Sequence, residues 1–206
     1  MKKIGIMGGT FDPIHMGHVM LGATAKGQFG LDKVLFMPTG NPAYKTEGHQ
    51  VTSGIHRAAM VQLAISGYEG LEFSDMELRR RGNTYTADTL TALRAAEPDI
   101  QYYYIVGADS LDYMDRWHCP RMIFQNAVVL AARRVTQSEE QFQDTIVFLQ
   151  KKYQADIRLL EAPRIDISSS DLRDKISNGT DVSEWVEADV LQYIKKHHLY
   201  EPEESG

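Results

Sequence analysis

Two histidines three positions apart, His15 and His18, stand closest to chemistry in this chain. They follow a glycine pair in the stretch GGTFDPIHMGH, residues 8–18. An apolar run, Ile4 to Met7, precedes it, and an amphipathic segment opens near Gly17, so the stretch reads as strand, glycine-rich turn and helix start. Gly8 and Gly9 carry no Cβ, which lets backbone N–H groups approach a ligand. A helix start presents unpaired N–H donors and partial positive charge, and it favours phosphate. The spacing of His15 and His18 puts both imidazoles on one face of a helical turn. Together these features predict a phosphate site. A metal pair is disfavoured, because a third ligand and a His-Glu-x-x-His pattern are missing.

A second phosphate-binding element lies near the other end. Ile167, Ser168, Ser169, Ser170, Asp171, Leu172 and Arg173 offer hydroxyls, N–H groups at a helix start, and a guanidinium that can grip phosphate through two hydrogen bonds. Lys45 and Arg133 fall in loops after strands and add positive charge. Gly107 and Asp109 close a third strand end, QYYYIV-GAD. A dinucleotide fingerprint is not formed, since Gly5, Gly8 and Gly9 do not fit G-x-G-x-x-G, and no G-K-[ST] of a Walker loop occurs.

The elements that must position these groups alternate regularly. Strands are read at Lys2–Met7, Lys33–Met37, Leu71–Ser74, Gln101–Val106, Ala127–Ala132 and Ile157–Leu160. Helices are read over Gly17–Phe29, from Thr52 or Ser53 to Ile65, from a Thr86 N-cap to Ala96, and over Ser110–Asp115. Three more follow at Ser138–Tyr153, from the serine run to Asn178, and at Val186–His197. In the first helix Val19, Met20, Ala23 and Phe29 are expected to face inward; in the second, Ile55, Ala59, Leu63 and Ala64 lie along one side. This alternation predicts an α/β fold, a Rossmann-like doubly wound, mainly parallel sheet with a small C-terminal helical subdomain.

Composition sets outer bounds. The chain has 206 residues, 43% of them hydrophobic, and a formal net charge of −6. The acidic balance argues against a nucleic-acid partner, and no apolar run reaches the roughly 18 residues of a membrane span. The start MKKIGIMGG is not a signal peptide, because glycines interrupt its apolar run at once. The single cysteine, Cys119, leaves no internal disulfide and reads as a small apolar residue; the expected location is cytoplasmic.

GGTFDPIHMGH resembles the signature of the HxGH nucleotidylyltransferases, and in its full form that of the nicotinate mononucleotide adenylyltransferase branch. ISSSDLR is similar to that family's second signature, with Ser170 where threonine is common. PTGNPAYK resembles its strand-end loop, and GNTYTADTL and GADSLDYMDRW resemble the segments that enclose the pyridine nucleotide. The likeness runs from Lys3 to about Tyr200. It departs at Arg133-Arg134-Val135, where arginine, proline and glycine are usual, and at Asn83-Thr84.

The resemblance implies transfer of AMP from ATP to nicotinate mononucleotide, giving nicotinate adenine dinucleotide and pyrophosphate in NAD biosynthesis. It implies catalytic roles for His15, His18, Lys45 and Arg173. ATP would meet Gly8, Gly9, Thr10, Phe11, His15 and His18, then Gly107 and Asp109, and finally Ile167, Ser168, Ser169 and Arg173. Nicotinate mononucleotide would meet Lys45, Tyr85, Thr86, Tyr113 and Trp117, with Mg²⁺ carried on ATP. A nucleotidylyltransferase α/β domain would occupy 1–166, and a C-terminal helical subdomain completing the ATP site 167–200, before a frayed tail at 201–206. A homodimer is left open. Rival readings are another HxGH enzyme of the phosphopantetheine adenylyltransferase type and a non-catalytic nucleotide-binding sensor.

Overall fold

The structure, a computed structural model, describes residues 1–41, 51–133, 138–163 and 167–202. Six parallel strands form one sheet: β1 (Lys3–Gly9), β2 (Lys33–Pro38), β3 (Leu71–Phe73), β4 (Gln101–Gly107), β5 (Val128–Ala132) and β6 (Ile157–Leu159). Their order is β3-β2-β1-β4-β5-β6. The order reverses between β1 and β4, and open α/β sheets bind ligands at the carboxyl ends beside such a reversal. All five pairings are parallel, so the expected mainly parallel sheet has no antiparallel edge among the described residues.

Strand side chains alternate between two apolar layers, as a sheet covered on both faces requires. Met7, Val34, Phe36, Tyr103, Ile105 and Leu130 face one layer. Ile4, Ile6, Met37, Tyr102, Tyr104 and Val129 face the other. Helices α1 (Met16–Phe29), α2 (Gly54–Ile65), α3 (Thr86–Ala96), α4 (Ala108–Tyr113), α5 (Pro120–Asn126), α6 (Glu139–Tyr153), α7 (Ser169–Ser177) and α8 (Ala188–Lys196) cover them. Leu172 of α7 and Val190 and Ile194 of α8 belong to the same layer as Met7 and Phe36. None of the described helices is long and apolar enough to cross a membrane.

Local signals explain most boundaries. Gly30 closes α1 in the left-handed conformation, at φ 59°. Ser138 caps α6 by accepting from the Gln141 N–H, and Phe142, Ile146 and Leu149 then fall on its buried face. Ser168 and Asp171 form a reciprocal capping box at the start of α7.

Several expectations are corrected. Thr86 is the first residue of α3, and Tyr85 is its N-cap. Ile55 is 81% exposed, and the inward residues of α2 are Arg57, Met60, Val61, Ala64 and Ile65. In α1, Val19, Gly22 and Ala25 are buried, while Met20, Ala23 and Phe29 are only partly so. The short helix α5 lay hidden ahead of β5. Cys119 is its exposed N-cap at φ 47°, not a packed apolar residue.

Gly22 shows how tightly α1 lies on the sheet. A Cβ there would stand 2.6 Å from the ring of Phe36, which has no exposed surface. Overpacking of this kind costs about 1–3 kcal/mol. A Gly22→Val chain is therefore expected to lose about 2–3 kcal/mol in urea unfolding with an unchanged m-value.

Candidate active site

The carboxyl ends of β1, β4 and β5 open into one cavity of about 760 Å³. Gly8, Gly9, His15 and His18 line one wall. Gly107 and Asp109 sit at the end of β4, and Ile167, Ser168 and Ser169 form the wall beside α7. Tyr85, Thr86, Tyr113 and Trp117 surround the opposite end. Thirteen of the expected site residues thus meet in one cavity although they lie between residues 8 and 169 of the chain. Thr10, Phe11 and Arg173 stand behind the lining rather than in it. Lys45 lies outside the described residues.

The two histidines meet in a way that spacing alone did not specify. His15 is the N-cap of α1, with extended backbone, and His18 is three residues on at position N3. The His15 N–H donates to Nδ1 of His18 at 3.3 Å, and the two rings lie 3.8 Å apart. Because Nδ1 of His18 accepts, its proton sits on Nε2. The edge of Phe11 meets the His18 ring at 5.1 Å and fixes its plane. The sequence reading missed this role of Phe11, whose side chain is 2% exposed. The glycine pair also has a packing reason: a Cβ on Gly9 would come within 3.2 Å of the Phe11 ring, and one on Gly8 within 3.0 Å of the Tyr104 hydroxyl.

The turn is held from behind by Arg57, which has no sequence signature, and by Ser169 and Arg173 of the ISSSDLR segment. Arg57 of α2 is 1% exposed. It donates to the carbonyls of Thr10 at 2.7 Å, Thr39 at 2.8 Å, Gly40 at 3.3 Å and Thr52 at 2.8 Å. One guanidinium therefore ties the signature turn to the end of β2 and to the lead into α2. Arg173 donates from Nη1 to the Asp12 carbonyl at 2.7 Å, and Ser169 donates from Oγ to that of Pro13 at 2.9 Å.

At the other end, aromatic and polar groups converge on the start of α3. His118 stacks on Tyr85 with centroids 4.3 Å apart, and Trp117 meets Tyr104 edge-on at 6.2 Å. The Thr86 and Tyr104 hydroxyls lie 3.3 Å apart. Glu77 also lines this end, and its carboxylate accepts from the Thr89 hydroxyl at 2.7 Å. Burial pushes the Glu77 carboxyl above the usual range, against the lowering effects of the Thr89 hydroxyl and the Arg80 charge. The sequence reading named neither Glu77 nor His118. The aromatic run around Trp117 was the available signal for His118. Arg133 reaches the cavity from β5 and pairs with Glu139 at 3.3 Å.

Comparison with known proteins agrees with this geometry. Residues 6–175 match the model of the cytidylyltransferase-like family. A probable nicotinate-nucleotide adenylyltransferase of Lachnoclostridium phytofermentans is 40% identical over 97% of this chain and all of its own length. The chain belongs to the nicotinate-nucleotide adenylyltransferase family. Another family member, from Dehalococcoides mccartyi, is 41% identical over 96% of this chain and 97% of its own. In fold, the chain matches a Plasmodium falciparum nicotinic acid mononucleotide adenylyltransferase, solved as a complex with NaAD. That match has a TM-score of 0.80 at 21% identity and covers 97% of this chain and 98% of that one.

Proposed function

We propose that this protein transfers the adenylyl group of ATP to nicotinate mononucleotide in the cytoplasm, forming nicotinate adenine dinucleotide and pyrophosphate for NAD biosynthesis. The observation that carries the reading is one cavity lined by the glycine–histidine turn at one end and by the start of α3 with Trp117 at the other. Family membership agrees with it.

The chemistry follows from the placement. A phosphate oxygen of the mononucleotide attacks the α-phosphorus in line, and the bond from that phosphorus to the bridging oxygen breaks, so that pyrophosphate leaves. Positioning and charge stabilisation suffice, with no covalent enzyme intermediate. His15 and His18 would steady the phosphates, with His18 donating from Nε2 as negative charge builds up. Lys45 and Arg173 would neutralise phosphate charge, while Gly8, Gly9, Thr10 and Phe11 shape the turn. Asp109 at the end of β4 would accept from ribose hydroxyls, and Ile167, Ser168 and Ser169 would close the nucleotide side. Among the described residues no group of three or more His, Cys, Asp or Glu side chains could hold a metal ion. Mg²⁺ carried on ATP would shield the charge of the triphosphate oxygens.

Trp117 and Tyr113 would border the pyridine ring, and the N–H groups of Tyr85 and Thr86 at the start of α3 would receive its carboxylate. Thr86 is at position N1 of α3, where the backbone N–H has no partner within the helix. A carboxylate there gains from the helix start, whereas a carboxamide turns an NH₂ toward N–H donors. Pyrophosphate release from Mg-ATP is therefore expected to favour the acid over nicotinamide mononucleotide by about 10–100-fold in kcat/KM. Equal rates would remove the carboxylate argument but leave the chemistry. No release with either would overturn the reading.

A further inference from the structure

Asp12 sits in the middle of the signature turn, two residues after Thr10 and three before His15, and is only 3% exposed. A buried carboxylate needs donors, and one turned toward the cavity would repel phosphate. Here it is aimed behind the turn. Oδ2 accepts from the Thr52 N–H at 3.1 Å, and Oδ1 accepts from the hydroxyl of Tyr200 at 2.6 Å. Asp12 and Tyr200 are 188 residues apart in sequence.

The segment that delivers Tyr200 is unusual. Tyr200 lies partly buried against the core, at φ 65°, a left-handed conformation that bulky side chains rarely adopt. Backbone strain persists where surrounding contacts over-determine it, and it clusters at functional sites. Burial, then the neighbouring Asp12 charge, pushes the Tyr200 phenol far above its ordinary range, so it stays a donor at any working pH.

We propose that Tyr200 is a positioning residue for the reaction: its hydroxyl latches Asp12 behind the signature turn and thereby sets the N–H groups of residues 8–11 and His15 for the transferring phosphate. The proposal rests on the adenylyl-transfer reading. Tyr200 touches no reacting atom; it acts through Asp12, whose own carbonyl is held by Arg173. Without the hydroxyl, Oδ1 loses this donor while Oδ2 keeps the Thr52 N–H, and the looser turn lowers kcat more than it raises KM.

The test compares Tyr200→Phe with a control, Tyr193→Phe. The control removes the hydroxyl that contacts His56 at 2.9 Å in the same group of C-terminal elements, away from the turn. Both are assayed for pyrophosphate release at a temperature where circular dichroism shows them fully folded, and amide exchange is followed at residues 8–18. We expect Tyr200→Phe to keep about one-tenth or less of the wild-type kcat with KM for Mg-ATP within threefold, and to exchange its turn amides faster. The control should keep both properties. A Tyr200→Phe kcat within twofold of wild type overturns the latch, whatever happens to the thermal midpoint, because the bond would then serve stability alone. If wild type itself releases no pyrophosphate, the adenylyl-transfer reading fails. Amide exchange then decides: faster exchange in Tyr200→Phe supports the latch, and unchanged exchange overturns it.

Discussion

Replacing His18 by alanine should slow pyrophosphate release by about 10²–10³-fold while leaving KM for Mg-ATP within a few-fold. The size follows from what the imidazole does. The contacts that hold His18 include the His15 N–H on Nδ1, the His15 ring beside it and the Phe11 ring set edge-on to it. In the adenylyl-transfer reading it would meet developing phosphate charge as a preorganised donor, and such donors act mainly in the transition state. Removing an interaction that strengthens at the transition state lowers kcat and kcat/KM together. His18→Asn, which retains an N–H donor, should recover part of the loss. Steady-state kinetics with nicotinate mononucleotide and Mg-ATP would measure it. A His18→Ala protein within tenfold of wild type would remove this histidine from the mechanism.

The largest effect on stability is expected at Arg57. Arg57→Met keeps most of the side-chain volume but withdraws the donors from four carbonyls in three segments. Charge-assisted hydrogen bonds are worth about 1.5–3 kcal/mol each, so even with partial rescue by entering water the loss should be about 4 kcal/mol. For a chain of this size that corresponds to a fall of roughly 10 °C in Tm. Arg57→Lys should fall between, since an ammonium is a point donor and cannot span the same fork of acceptors. Urea unfolding of the three proteins is the check, and a loss under about 1 kcal/mol for Arg57→Met would show that the carbonyls find other donors.

Arg57 and Tyr200 mark where sequence reading stops. The strand–turn–helix from Lys3 to Phe29 was legible because its pattern is local: apolar run, glycine turn, helix with a glycine end. So were the alternating strands, whose continuous apolar runs suit a sheet covered on both faces. The serine run before α7 carried its own capping signal. Arg57, by contrast, acts on carbonyls 5 to 47 residues away. In a helix, an arginine among apolar neighbours reads as solvent-facing, and this one is buried because its partners are backbone. Ile55 was misplaced for the complementary reason: the true inward face is rotated to place Arg57 under the turn. The helix α5 was missed although Pro120 at its first position was a start signal. Its seven residues are too few to show a periodicity.

The central place of β1 has a consequence for how the chain is made. Its first partner, β2, follows within about 30 residues, but its second, β4, pairs Gln101 beside Lys3. Roughly 60 residues separate the end of β2 from the start of β4, which at a ribosomal rate of about 5–20 residues per second means a wait of about 3–12 s. Through that interval the inner edge of β1 is an unpaired strand template on a nascent polypeptide, the kind of edge that invites association with other chains. The strand that carries the signature turn is thus the one most dependent on protection during synthesis.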